Sequence, residues 1–475
     1  MDDTAFAERL ETLCRSKLGG TGPLAELKRL SGGASMQSWR FAWGGEALIL
    51  RRMPEGLRAD DAAIDSGALD LDGQADVIES AGAHGVMAPA VRARLAPEDG
   101  LGEGFVMACA PGEALPHVLL RDPAYAGALE SLPQQWAEQL AAIHAIAPAS
   151  LPSSLTYRTP TQMLADLEQR WRDLGGISPI YALAFGWLER ALPEPVEPRL
   201  CHGDFRMGNL LITPQGLSAV LDWELAHLGD PVQDLAFGCI PSWRFGRYDR
   251  VLGGFAQPED MLAHYEAITG APVDRARFRF WLVYSCLWWG ICCLIMADIW
   301  RRGDKANPER LVIGRRVSEV EIDLLLMLSD ELVDVPAPMD WPMADIAAES
   351  GVPTGSALTK AVSLWLDGKV AATAQGHAKF EAKVAVNALG MAARDAALGP
   401  GFRASQMRRL EILGYDAPAL VAALRQDPAH VTPAVHHHLR RLAAENCLID
   451  QPRYAGLAVA RTAWSQTPRT SGENL

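Results

Sequence analysis

The sequence predicts an α+β protein: a small antiparallel sheet near the N-terminus, a larger and mostly helical part, and an all-α C-terminal domain. Three observations predict it. Short apolar runs separated by glycine turns lie within Leu27–Arg52 and recur at Gly104–Cys109. From Pro133 onward apolar residues repeat at helical spacing. The Ala-rich stretch Gly355–Asn446 is helical in pattern and has no obvious strand.

Taken in order, residues 1–18 read as a short amphipathic helix. Turns at Ser31-Gly32-Gly33 and Gly44-Gly45 flank the runs Ser38–Trp43 and Glu46–Arg51, which read as antiparallel strands. Asp70–His84 reads as a helix and Gly104–Cys109 as a strand. Pro133–Ala147, Pro160–Leu174 and Pro179–Leu192 are helical in pattern, Arg199–Asp222 returns to β-type runs, and helices resume from Gln257 to Glu331. Pro336–Pro342 is proline-rich and reads as a linker. Trp281–Ala297 carries no charge, but it is shorter than the ~20 residues of a membrane helix and is bounded by Arg279 and Asp298, so it reads as a buried core helix rather than a membrane span.

Composition narrows the function. The chain has 475 residues, enough for two or three domains, and 49% of them are hydrophobic, which suits a packed core. A net charge of −14 gives no basic face for nucleic acid. Eight scattered cysteines with no CxxC pair point to reduced thiols and a cytoplasmic location. The opening MDDTAFAERLETL carries acids and lacks the apolar core of a signal peptide. His436-His437-His438 point around a helix rather than to one side, so no metal site is read there.

The most informative segment is Cys201-His202-Gly203-Asp204-Phe205-Arg206-Met207-Gly208-Asn209, followed by Val220-Leu221-Asp222-Trp223-Glu224. Both acidic clusters border strand-like runs joined by a turn at Pro214-Gln215-Gly216, so a hairpin can bring Asp204, Asn209 and Asp222 to one end. Phosphoryl transfer needs such a set: one carboxylate to orient a hydroxyl and take its proton, and oxygen ligands to hold Mg²⁺ against the phosphates. Singly, Asp204 and Asn209 read equally well as turn residues.

HGDxxxxN with a following DxE resembles the aminoglycoside phosphotransferase and choline kinase superfamily, which shares the bilobal protein-kinase-like fold. The closer resemblance is to phosphotransferases related to the kinase-like domains of acyl-CoA dehydrogenase fusions; SGGAS, LILRRMP, HGDFRMGN and LDWELAHLGDPVQDLAF carry it. It covers roughly residues 25–330 and implies an N-lobe at 1–110, a C-lobe at 111–335, the linker 336–342 and a helical domain of unknown function at 343–475.

The resemblance also implies roles, with ATP and Mg²⁺ as cofactors. Asp204 is similar to the catalytic base, and Arg206 to the cation that touches the γ-phosphate. Asn209 and Asp222 resemble the metal ligands, assisted by Glu224. His202 is similar to the residue that braces the loop, Asp234 to the acceptor of its backbone hydrogen bonds, and Asp230 reads as a turn or cap residue. Ser31, Gly32, Gly33 and Ser35 would cover the phosphates, Arg51 would contact them from a strand, and the backbone of Ala108 and Ala110 would hold the adenine. The helix acid expected to pair with Arg51 falls on Gln74, with Asp76 and Glu79 as the neighbouring acids.

For the acceptor, the candidates are Trp243, Arg244, Arg247, Tyr284, Trp288, Arg301 and Arg302, a set that suits an anionic or acyl substrate. The expectation is a kinase acting on a small-molecule hydroxyl, such as a hydroxyacyl-CoA or hydroxy acid, with an acyl-CoA dehydrogenase as partner. A nucleotide-binding regulatory or assembly protein with little turnover, or an aminoglycoside-type enzyme, are the alternatives.

Overall fold

The computed structural model describes residues 3–20, 22–30, 36–54, 68–303, 308–332, 339–342 and 352–465. The chain forms two compact units: Met1–Pro160 with Glu194–Phe245 and Asp249–Leu282, and Thr161–Pro193 with Gly246–Tyr248 and Val283–Leu475.

The first unit begins with α1 (Asp3–Leu13) and a five-stranded antiparallel sheet of β1 (Ala25–Arg29), β2 (Gln37–Trp43), β3 (Glu46–Met53), β4 (Val91–Arg94) and β5 (Glu103–Ala108), in the order β1-β2-β3-β5-β4. Gly44 and Gly45, at φ +60° and +88°, make the tight turn between β2 and β3 that the sequence predicts. Phe6, Leu10 and Leu13 of α1 pack on Phe41, Trp43, Leu48, Leu50 and Val106 to form the core beneath the sheet. Gly104 is required where β5 meets β3, because a Cβ there would stand 2.2 Å from the Arg51 carbonyl oxygen. β4 was not read from the sequence; it is a four-residue edge strand, VRAR, with too little apolar alternation to signal. Helix α2 (Leu71–Ala83) starts at Asp70, whose carboxylate accepts the Gly73 N–H at 2.7 Å.

After α3 (Pro116–Leu119) and α4 (Ala126–Ala145) the chain contributes α5 (Pro160–Asp173) and α6 (Pro179–Arg190), then two small two-stranded sheets. These are β6 (Arg199–Cys201) with β9 (His227–Gly229), and β7 (Leu210–Thr213) with β8 (Gly216–Val220). The helices α7 (Val232–Phe237), α8 (Pro258–Thr269) and α9 (Arg275–Arg302) follow. Among the described residues α9 alone is long and apolar enough to cross a membrane, and 67% of its apolar window is buried within the chain. Trp281, Leu287, Ile291 and Cys293 of this helix are fully enclosed.

The second unit combines α5 and α6 with most of α9, α10 (Glu309–Gly314), α11 (Val317–Leu332), α12 (Gly355–Trp365), α13 (Gly376–Leu413), α14 (Ala417–Gln426), α15 (Pro433–Asp450) and α16 (Ala455–Ser465). It therefore joins helices from both sides of Pro336–Pro342. Buried polar contacts tie them: Glu321 accepts from Ser178 at 2.7 Å and Asn446 at 3.3 Å, and Asp323 accepts from Tyr248 at 3.0 Å and Tyr454 at 2.6 Å. Arg425 of α14 grips Glu168 of α5 at 2.6 Å.

Two buried histidines of α15 make this unit acid-sensitive. Burial and neighbouring arginines push His436 and His438 down to about 4, and His438 Nδ1 accepts a hydrogen bond from Arg409 Nε at 3.3 Å. The folded form thus refuses protons that the unfolded chain takes up below its ordinary histidine value, so stability falls as pH drops from about 6.5 towards 4. The expected loss between pH 7 and pH 5 is about 2 kcal/mol per histidine. Melting curves of the chain and of His436→Leu test this: between pH 7 and pH 5 the variant should lose about 2 kcal/mol less stability than the parent.

Candidate active site

Two strand pairs set the geometry. In β6/β9, Cys201 lies opposite His227; in β7/β8, Leu210 lies opposite Val220. The loop 202–209 leaves β6 and the loop 221–226 leaves β8, and the Leu221 N–H donates to the Asn209 carbonyl at 2.8 Å, closing the two together. The hairpin expected from the sequence is present.

The first loop is braced from beneath. Asp234 of α7 is fully buried and accepts the backbone N–H of His202 at 2.6 Å and of Gly203 at 2.8 Å. His144 Nε2 lies 3.3 Å from the same carboxylate, and its Nδ1 lies 2.8 Å from the Tyr265 hydroxyl. Burial raises the Asp234 carboxyl, but the bond and charge of His144, aided by His202 and Gly203, outweigh it and hold the group below its ordinary value. Gly203, at φ +81°, must be glycine because a Cβ would stand 2.3 Å from the Leu225 carbonyl oxygen. Burial keeps His202 neutral, which fits its bonds: Nε2 donates to the Leu221 carbonyl at 3.0 Å and Nδ1 accepts the Asp204 N–H at 3.2 Å. His202 therefore spans the two loops. His144 was missed in the sequence; the signal available was a lone polar side chain on the apolar face of a helix.

On this base Asp204 is held from both sides. Asn209 Nδ2 donates to its Oδ2 at 2.6 Å, and Arg206 Nε donates to its Oδ1 at 2.9 Å. Arg206 lies over the Trp243 ring, 4.6 Å from its centre. Burial, offset by Arg206 and reinforced by Asp222, raises the Asp204 carboxyl above its usual value.

Asp222 adopts a left-handed backbone, φ +65°, unusual for a non-glycine residue though tolerated by aspartate. Arg51 of β3 reaches both acids of the turn, donating to Asp222 at 2.8 Å and to Glu224 at 3.1 Å. Burial opposes ionisation of Asp222, but Arg51 overrides it and lowers its pKa. Arg51 lowers Glu224 as well, but burial and the Asp222 charge outweigh it and push that carboxyl up to about 7. Among the described residues no group of three or more His, Cys, Asp or Glu is gathered to hold a metal alone. A magnesium ion bound to a nucleotide does not require one, since phosphates and water complete its octahedron.

The structure thus brings together Asp204, Arg206, Asn209, Asp222, Glu224 and Arg51. Ser31, Gly32, Gly33 and Ser35 lie outside the described residues. At the adenine-side strand the Ala108 N–H is committed to the Ala90 carbonyl at 2.9 Å, which leaves that donor unavailable to a base; Ala110 follows just beyond β5. The alternative partners of Arg51 are corrected. Gln74 donates instead to the Leu69 carbonyl at 2.8 Å, while Asp76 and Glu79 pair with Arg94 at 2.7 and 2.6 Å. Asp230 caps the start of α7 through the Val232 N–H at 3.0 Å and also binds Arg277 at 2.6 Å and Trp281 at 2.8 Å. Two acceptor candidates prove structural: Arg244 is buried on the Cys239 carbonyl, and the buried Tyr284 donates to the Met163 carbonyl.

Comparison with known proteins places this geometry. Residues 26–280, more than half the chain, match the model of the phosphotransferase enzyme family. Residues 372–454 match a domain of unknown function, DUF6285. Mouse acyl-CoA dehydrogenase family member 10 is 27% identical over 245 residues, covering 49% of this chain and 22% of that protein. Human acyl-CoA dehydrogenase family member 11 is 47% identical over 110 residues, 21% of this chain and 14% of its own. The chain therefore spans only 22% or less of the length of these relatives. A structure assigned as an aminoglycoside phosphotransferase from Ralstonia eutropha superposes with a TM-score of 0.54 at 20% identity, covering 68% of this chain and 98% of that one. That of aminoglycoside phosphotransferase APH(4)-Ia gives 0.47 at 17% identity, with 68% and 99% covered. The fold is kinase-like, and the chain belongs to the phosphotransferase enzyme family.

Proposed function

We propose that the protein is an ATP- and Mg²⁺-dependent kinase that phosphorylates a hydroxyl of a small molecule. The observation that carries this reading is the Asp204–Asn209 pair, joined at 2.6 Å and set on a loop that His202 ties to the Asp222 turn. Asp204 is the group that orients the acceptor hydroxyl and takes its proton; Arg206 and Asn209 fix its two oxygens. With its NH₂ turned to Asp204, Asn209 keeps its carbonyl oxygen for a cation, and Asp222 and Glu224 add carboxylate oxygens, a donor set that suits Mg²⁺. The ion, when bound, offsets phosphate charge. Arg51 and Arg206 supply the fixed positive charges around the nucleotide. Ser31, Gly32, Gly33 and Ser35 are proposed for the phosphates, and the backbone near Ala110 for the adenine.

The similarity to acyl-CoA dehydrogenase family members supports a hydroxyacyl-CoA or a hydroxy acid as acceptor, and an acyl-CoA dehydrogenase as partner. A nucleotide-binding regulator is the second reading; Arg51 lying on both acidic groups of the metal turn favours it. Calorimetric titration with ADP tests the nucleotide step shared by both. Binding should tighten with Mg²⁺, and Asp222→Asn should abolish that tightening. A chain that binds no nucleotide under either condition contradicts both readings.

A further inference from the structure

Gln74 lies in the first turns of α2 and is almost wholly buried, 2% exposed. Its Nε2 donates to the Leu69 carbonyl at 2.8 Å, and the Leu69 N–H donates to the backbone carbonyl of Glu224 at 2.7 Å. Leu69 is thus a one-residue bridge from α2 to the turn that carries Asp222 and Glu224. Asp70, next along the chain, fixes the other side of the bridge by capping α2 through Gly73.

We infer that Gln74 is a positioning residue: by gripping Leu69 it holds the 222–224 turn in place for the metal-bound nucleotide. The inference rests on the kinase reading of the same site and adds a residue that touches neither substrate nor metal.

A purely structural role fits poorly. The Gln74 Oε1 is buried with no partner, an arrangement that costs roughly 1–3 kcal/mol. Methionine fills a similar volume without that cost, so stability alone would favour an apolar side chain. What methionine lacks is the N–H donor to Leu69. The amide also cannot pair ionically with Arg51, whose terminal nitrogen is held by Asp222 and Glu224. The link between α2 and the turn therefore runs through hydrogen bonds to backbone, not through charge.

Gln74→Met and Gln74→Leu test this, since each removes the donor and leaves an apolar side chain that carries no charge into the buried position. Both should melt within a few degrees of the parent. In the ligand-free variants, amide hydrogen exchange at Leu69 and across 222–226 should accelerate severalfold. The Mg²⁺-dependent gain in ADP affinity should shrink about tenfold, as expected when support of a metal site is removed, while affinity in EDTA stays unchanged. Unchanged exchange at Leu69 and 222–226 in either folded variant overturns the inference. Should the parent show no Mg²⁺-dependent gain, the kinase reading fails, whereas the exchange measurement still judges the bridge.

Discussion

Asp204→Asn is expected to lower phosphoryl transfer by about 10³-fold, within the range that a positioned general base contributes, while leaving the melting temperature unchanged or raised. The kinetic part follows from the loss of the carboxylate that Asn209 and Arg206 both hold. The stability part follows from electrostatics. Asp204 is half-buried and its carboxyl raised, Asp222 adds to that rise, and Asp204 in turn contributes to the rise of Glu224. Three carboxylates act on one another here, so removing one charge relieves repulsion, and the Asp204 side chain is 15% exposed, so a donor that the asparagine NH₂ leaves unmatched is met by water, as it is not at the fully enclosed Asp234. Proteins commonly give up stability at such centres to keep function. Steady-state rates and calorimetric melting on the same preparation check both halves.

Asp234→Asn is expected to fail in the opposite way, with stability and activity falling together. This carboxylate is fully buried and accepts from His202 N, Gly203 N and His144 Nε2. An asparagine offers one acceptor oxygen and turns an NH₂ group towards a buried donor. Leaving such a donor unsatisfied, and removing a charge that several groups share, costs roughly 3–5 kcal/mol. For a unit of this size that is a drop of roughly 10 °C in melting temperature. The two aspartates lie within one hydrogen-bonded network, yet one should behave as chemistry and the other as foundation. A melting curve for each separates them.

The difference also explains what could be read from the sequence. HGDxxxxN and DxE were legible because they set few residue types at fixed short spacings within one continuous stretch. The tight Gly44-Gly45 turn and the apolar α9 were legible because local conformation and composition dictate them. Contacts between distant segments were not. Arg51 meets its partners across 171 and 173 residues, and His144 meets Asp234 across 90. No local pattern records that Gln74 turns to Leu69 rather than to Arg51.

The C-terminal helices show tertiary packing overriding local preference. Helix α13 runs through Gly399-Pro400-Gly401, although a proline removes a helix hydrogen bond and disfavours a helix interior. Leu398 and Phe402 on either side are packed with Ile449 of α15, which holds the helix across the proline. Helix α12 inverts the usual amphipathic rule. Ser356 and Ser363 face inward and donate to the Ala393 and Val386 carbonyls of α13, while Leu358, Val362 and Trp365 are exposed. An apolar stripe at helical spacing predicts the reverse orientation.

Transfer of the γ-phosphate to a small-molecule hydroxyl, the proposed reaction, is followed by radiolabel from γ-labelled ATP. The chain, with Mg²⁺, is offered hydroxyacyl-CoAs, hydroxy acids, amino alcohols and aminoglycosides, and products are separated from ATP and inorganic phosphate. Label is expected on one acceptor class, dependent on Mg²⁺ and absent with Asp204→Asn. Label that persists undiminished in the Asp204→Asn protein, or appears only as inorganic phosphate across every class, would contradict the proposed reaction.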